Sequence, residues 1–166
     1  FAENERMLPD LIKVFDYTQQ FMEQSVADLS ELQMVEQSAN APNHATCTLG
    51  HVIFSCQGIA AELGAEHWLP DDWEARFGYG STPLSDPSRY PDKSDMLLLL
   101  TDAAKRLRRT LLATDESVLA RPLPDESLPT MRHLLIQVVV GHTAYHAGQL
   151  AVWRRAIGKP SAGVFI

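Results

Sequence analysis

In four stretches of this 166-residue chain, apolar residues recur at every third or fourth position, and nowhere do they alternate with polar ones over a strand's length. A period of 3.6 gathers such residues on one face of a helix, whereas a half-buried strand needs a period of two. The chain is therefore expected to be all-α.

The first stripe, Leu8, Leu11, Ile12, Phe15, Met22, Val26 and Leu29, predicts a helix over about residues 8–37, with Pro9 tolerated in its first turn. The second runs through Leu49, Val52, Ile53, Cys56, Ile59, Ala60 and Leu63, with Thr46 or Thr48 as N-cap and Gly64 near its end. The third starts at a Ser94 cap, carries Leu97, Leu100, Ala104, Leu107 and Leu111, and frays near Thr114. The fourth comprises Met131, Leu134, Leu135, Val138, His142, Tyr145, His146, Gln149 and Trp153, and Gly158 and Pro160 end it.

Breaks separate the stripes at "NAPN" (40–43), at 66–93, rich in Pro, Gly, Asp and Ser, and at "RPLPDESLPT" (121–130). The long connection is expected to hold a turn of helix around 70–77. It can travel the length of a 20-residue helix, roughly 30 Å, so helices two and three can run parallel. With 45% hydrophobic residues, the chain can bury one core, and it reads as a single domain spanning 1–166, a bundle of four helices.

Charge narrows the partners. Acidic residues outnumber basic ones 21 to 14, a formal charge of -7, so nucleic-acid backbones and anionic membranes are disfavoured. No apolar run approaches the roughly 20 residues of a membrane span. The opening "FAENERML" carries no apolar signal-peptide core. Cys47 and Cys56 fall on opposite faces of helix two, beyond disulfide reach, and two unpaired thiols suit a reducing cytoplasm.

The chemistry lies in "GHTAYHAGQLAVWRR" (141–155). His142 and His146 are four apart, so their side chains stack on one helix face and two imidazoles can converge on one ion. A core histidine bonded to a backbone carbonyl is the competing reading. Both lie on the apolar stripe, where an unpaired imidazole costs about 1–3 kcal/mol. His51, on helix two, supplies a third imidazole and leaves a coordination position open. His44 and His67 are the alternatives for the third ligand, and His133 falls out of phase and should be exposed. Peptidase and di-iron templates are disfavoured, because no Glu follows His142 and no Glu has a His three residues later. Glu62, eleven residues after His51, is too far along the helix to serve the same ion.

"TLGHVIFSC" followed some ninety residues later by "GHTAYHAGQLAVWRR" resembles the DinB/YfiT-like family of metalloenzymes, over nearly the whole chain. The resemblance implies an up-down-down-up four-helix bundle with a divalent metal, zinc, nickel or iron, held by His51, His142 and His146. Gln149 matches the family's "GQ" and is a candidate supporting or substrate-contacting residue, with helix packing as the alternative; Tyr145, near His142 on the helix, is a candidate hydrogen-bond or proton donor, with core packing expected by default. Gly148 is expected to permit close helix approach. Some relatives use a low-molecular-weight thiol, which implies a thiol-dependent S-transferase acting on a small molecule. Metal-assisted hydrolysis and a non-catalytic metal-binding or stress-related bundle are the alternatives.

The basic clusters, "KRLRR" at 105–109 and Arg154, Arg155 and Lys159, are expected to be solvated helix faces and C-terminal charges offsetting the macrodipole, with binding of a cosubstrate carboxylate as the alternative. Trp68, Trp73, Phe77 and Tyr79 are expected to anchor the long connection, with a lid over the site as the alternative. The apolar tail "GVFI" and the aromatic-rich connection give the chain surface to hide, and a homodimer is expected.

Overall fold

The computed structural model describes residues 4–162 except 40 and 42, with the side chains of residues 4–6 also left undescribed. Among these residues every regular element is helical. The expected tail contact of "GVFI" lies outside the described residues.

Helix α1 spans Asn4–Val26 and buries Leu11, Ile12, Phe15, Met22 and Val26. It is shorter than the expected 8–37. Ser30 starts a separate short helix α2, Glu31–Met34, with a capping box: its hydroxyl accepts from the Gln33 N–H, and the Gln33 side chain accepts from the Ser30 N–H. Because Leu29 and Met34 are buried as well, the apolar period runs on past the break.

Helix α3 spans Ala45–Glu62. Its N-cap is His44 rather than Thr46 or Thr48: the His44 Nδ1 accepts from the Cys47 N–H at 3.2 Å. The Nε2–H then donates to the Leu84 carbonyl at 3.1 Å. Gly64, with φ of 92°, follows the helix end as expected.

The connection carries helix α4, Trp73–Phe77, where a turn was expected. Trp73 and Phe77 are buried, each stabilising the fold by roughly 2–3 kcal/mol, which offsets part of the entropy of ordering a long segment. Trp73 Nε1 donates to the Gly50 carbonyl at 3.1 Å, and the Gln57 side-chain oxygen accepts from the Trp68 and Leu69 N–H groups at 2.7 Å each. Tyr79 is different: it is wholly exposed and anchors nothing.

Helix α5 spans Lys93–Leu112, capped by Asp92, which accepts from the Asp95 N–H at 2.8 Å; the expected Ser94 cap instead donates to the Asp92 carboxylate. Helix α6, Glu116–Leu119, precedes a tight return in which Met131 N–H donates to the Arg121 carbonyl. The last helix is continuous over 131–156: α7 (Met131–Leu135), a π-wound segment (Ile136–His142), and α8 (Thr143–Ala156).

The π winding fits the pattern of burial. Met131, Leu135, Val139 and Thr143 are buried at steps of four, and each such step drifts about 40° on an ideal α-helix. Wider winding keeps them on one face, and the Thr143 hydroxyl donates to the Val138 carbonyl five residues back.

Cross-helix contacts give the relative directions. Tyr90, just before α5, reaches Cys47 near the start of α3, while Arg106 stacks over Trp68 beyond the end of α3, so α3 and α5 run parallel. Arg108 pairs with Asp16 and Thr101 bonds Glu23, so α1 and α5 are opposed. Arg132 meets Met7 and Arg154 meets Ser25, so the last helix runs with α1. One apolar cluster reaches from Leu11 to Trp153. No helix among the described residues is long and apolar enough to cross a membrane.

Candidate metal centre

α3 and the last helix bring His51, His142 and His146 together, one ligand atom from each lying within 4.8 Å of the others. The Nε2 of His142 is 3.2 Å from that of His51 and 3.0 Å from that of His146. Nitrogens bound at about 2.0–2.1 Å to one tetrahedral ion stand about 3.3 Å apart. The spacing therefore suits a single shared cation.

The outer nitrogens show which way the lone pairs face. His51 Nδ1–H donates to the Phe77 carbonyl at 2.8 Å, and His146 Nδ1–H donates to the Gln149 side-chain oxygen at 2.8 Å. Both rings must then present unprotonated Nε2 atoms to the cluster centre. His142 could place one proton there, but one N–H cannot satisfy two lone pairs well, and its buried Nδ1 has no partner. A cation at the centre suits all three donors.

Electrostatics act in the same sense. Burial, and then the neighbouring His142 and His51, hold His146 down to about 4, while its bond to Gln149 opposes the shift. His142 is lowered as well, by burial and then by His51. Neutral imidazoles at pH 7 are the metal-binding form.

The supporting groups come from two directions. Gln149 Nε2 donates to the Tyr145 hydroxyl at 2.9 Å, so Tyr145, Gln149 and His146 form one chain of hydrogen bonds. From the other side comes the Phe77 carbonyl, held by a buried ring that packs so closely on α3 that a Cβ at Gly50 would overlap it. Glycine is required there by packing. Gly148 is not: a Cβ would meet nothing within 4 Å, so the expected close helix approach at this residue is absent.

The histidines line a cavity of about 570 Å³ together with Cys47, Thr48, Tyr79, Tyr145 and Gln149. Thr48 was not singled out from the sequence as a site residue. Its hydroxyl is buried without a hydrogen-bond partner, although a helical Thr ordinarily bonds a carbonyl one turn back. It is one turn before His51, and that i, i+3 spacing was the available signal.

The other candidates fall outside the cluster. His44 is the cap of α3, and burial pushes it down to about 4. His67 and His133 are exposed, the latter as expected. Glu62 pairs with Arg121 at 3.0 Å. Arg154 is not on a solvated face: it is buried, and its guanidinium bonds the Asp28 carboxylate at 2.7 Å and the Ser25 and Pro160 carbonyls. Cys47 and Cys56 are free and buried, with thiols pushed up to about 11 and about 12 by burial.

A family model described as the DinB superfamily matches residues 15–150. No curated protein matches the chain.

Proposed function

The chain belongs to the DinB superfamily, and from that premise we propose that it is a divalent-metal-dependent enzyme, a thiol-dependent S-transferase with His51, His142 and His146 as its metal ligands. The observation that carries the reading is the convergence of three Nε2 atoms, two of them fixed as lone-pair donors by bonds from their outer N–H groups. When bound, a divalent ion with an open position lowers the pKa of a thiol or water that it binds.

The chain's own groups have separable tasks. Phe77 and Gln149 orient imidazoles, and the buried Thr48 hydroxyl, without a partner in the helix, lies beside the cavity wall. Tyr145, exposed and bonded to Gln149, can pass a proton between solvent and substrate. Neither cysteine is a nucleophile near neutral pH, so thiol chemistry would need a thiol from solution.

The same reading includes an up-down-down-up four-helix bundle, supported by the directions of the long helices, and a homodimer in a reducing cytoplasm, supported by exposed Val152 and by two free thiols. Chelation should abolish turnover of an electrophilic substrate and added metal restore it, with the rate depending on added thiol. Metal-restored turnover without thiol would favour hydrolysis instead.

A further inference from the structure

A groove leaves the histidine cluster along the seam between α3 and the last helix. It is a second cavity, of about 500 Å³, and it shares His51, His142 and Tyr79 with the first. Its walls are successive helix turns, Phe54, Gly58 and Ile59 on one side and Leu134 and Val138 on the other. It leads from His51 toward Glu62, about 16 Å along the α3 axis, while the opposite wall runs back from His142 to Leu134.

Two features indicate what it suits. Its walls are mainly carbon, and the ionisable group at the far end, Glu62, is matched by Arg121 at 3.0 Å, so a charged body would find no counter-charge. Gly58 is exposed, and a Cβ there would meet nothing within 4 Å, so the floor is open because that residue has no side chain. Glycine inside a helix destabilises it relative to alanine, and packing gives no reason for it here.

We infer that the metal centre acts on a small molecule with an uncharged hydrocarbon or aromatic body, which lies in this groove while its polar head reaches the three histidines. The inference rests on the metal reading above. Tyr79, exposed between Gly78 and Gly80 and lining both cavities, stands at the junction of head and body.

Calorimetric titration of zinc-loaded protein with ethanethiol, butanethiol and hexanethiol separates head from tail. In wild type and Gly58→Ala, affinity should rise up to about fourfold per added methylene. Gly58→Phe, whose ring would fill the floor, and Leu134→Asp, which charges the far end, should both flatten that rise and leave ethanethiol binding unchanged. If ethanethiol does not bind the zinc-loaded protein, the thiol-transferase reading falls and this inference with it, while metal retained by the protein keeps the three-histidine site standing. If ethanethiol binds but chain length has no effect in wild type, the groove inference alone is overturned. It is overturned equally if Gly58→Phe dissociates a dimer in sedimentation while the thiol series stays flat, which would make the groove a contact between copies.

Discussion

The Nδ1 of His51 lies 2.8 Å from the carbonyl oxygen of Phe77, 26 residues further along the chain. That bond ties the long connection to the centre, because Phe77 is held against Gly50, one residue before His51. Gly50→Ala should displace the ring and its carbonyl together. The expected outcome is a loss of about 1–3 kcal/mol in metal-free stability and a roughly 10- to 100-fold loss in metal affinity. Chelator competition on the folded variant checks it; undiminished affinity would show that the Phe77 carbonyl does not orient His51.

Gln149 gives the corresponding support for His146. Gln149→Leu removes the acceptor of the His146 Nδ1–H and should weaken metal binding roughly tenfold. Gln149→Glu restores an acceptor and should recover most of the affinity. A purely packing role would instead be rescued by Leu and not by Glu, and metal competition on both variants distinguishes the two.

His44 should make the protein acid-sensitive without involving the centre. Burial sets its folded pKa at about 4, below the usual 6.5, so between those values the unfolded chain holds a proton that the folded chain refuses. Stability is therefore complete above pH 6.5 and falls as pH drops toward 4, by up to about 3 kcal/mol. Asn also caps helices but does not titrate. Urea unfolding of metal-free wild type and His44→Asn at pH 7 and 4.5 should show the smaller acid loss in the variant; equal losses would rule out His44 as a source.

Arg154 and Asp28 join the end of the last helix to the end of α1. The guanidinium bond, opposed by partial burial and aided by the charge of Arg154, holds Asp28 near 2. A depressed carboxyl contributes stability above its unfolded pKa of 3.8 and loses it as pH falls toward 2. Because Asp28 is half exposed, that contribution is on the order of 1 kcal/mol after screening. Asp28→Asn should cost about 1–3 kcal/mol at pH 7, since it strands a buried guanidinium; a urea midpoint equal to wild type would mean that the Ser25 and Pro160 carbonyls suffice.

Much of this was legible in the residues. Four apolar stripes located the long helices, and a spacing of four brought His142 and His146 onto one face. What escaped was carried by local competition and by the backbone. Ser30 opened a separate helix, α2, through a capping box that leaves the apolar period intact, and His44 took a capping place usually held by a hydroxyl or carboxylate. Steps of four from Met131 to Thr143 hinted at the π winding, yet they resemble an ordinary stripe when scanned for period alone. The Phe77 carbonyl has no side-chain signature, and only the tertiary fold brings it to His51.

Metal content is the most direct measurement of the central claim. Protein purified without a histidine tag or added metal would be assayed by elemental analysis, alongside His51→Ala, His142→Ala and His146→Ala. The expected result is near one equivalent of one divalent metal in wild type and its loss in each folded variant. A metal-free wild type that also fails to take up zinc, nickel or iron tightly when offered would contradict it, and the three imidazoles would then be a feature of packing alone.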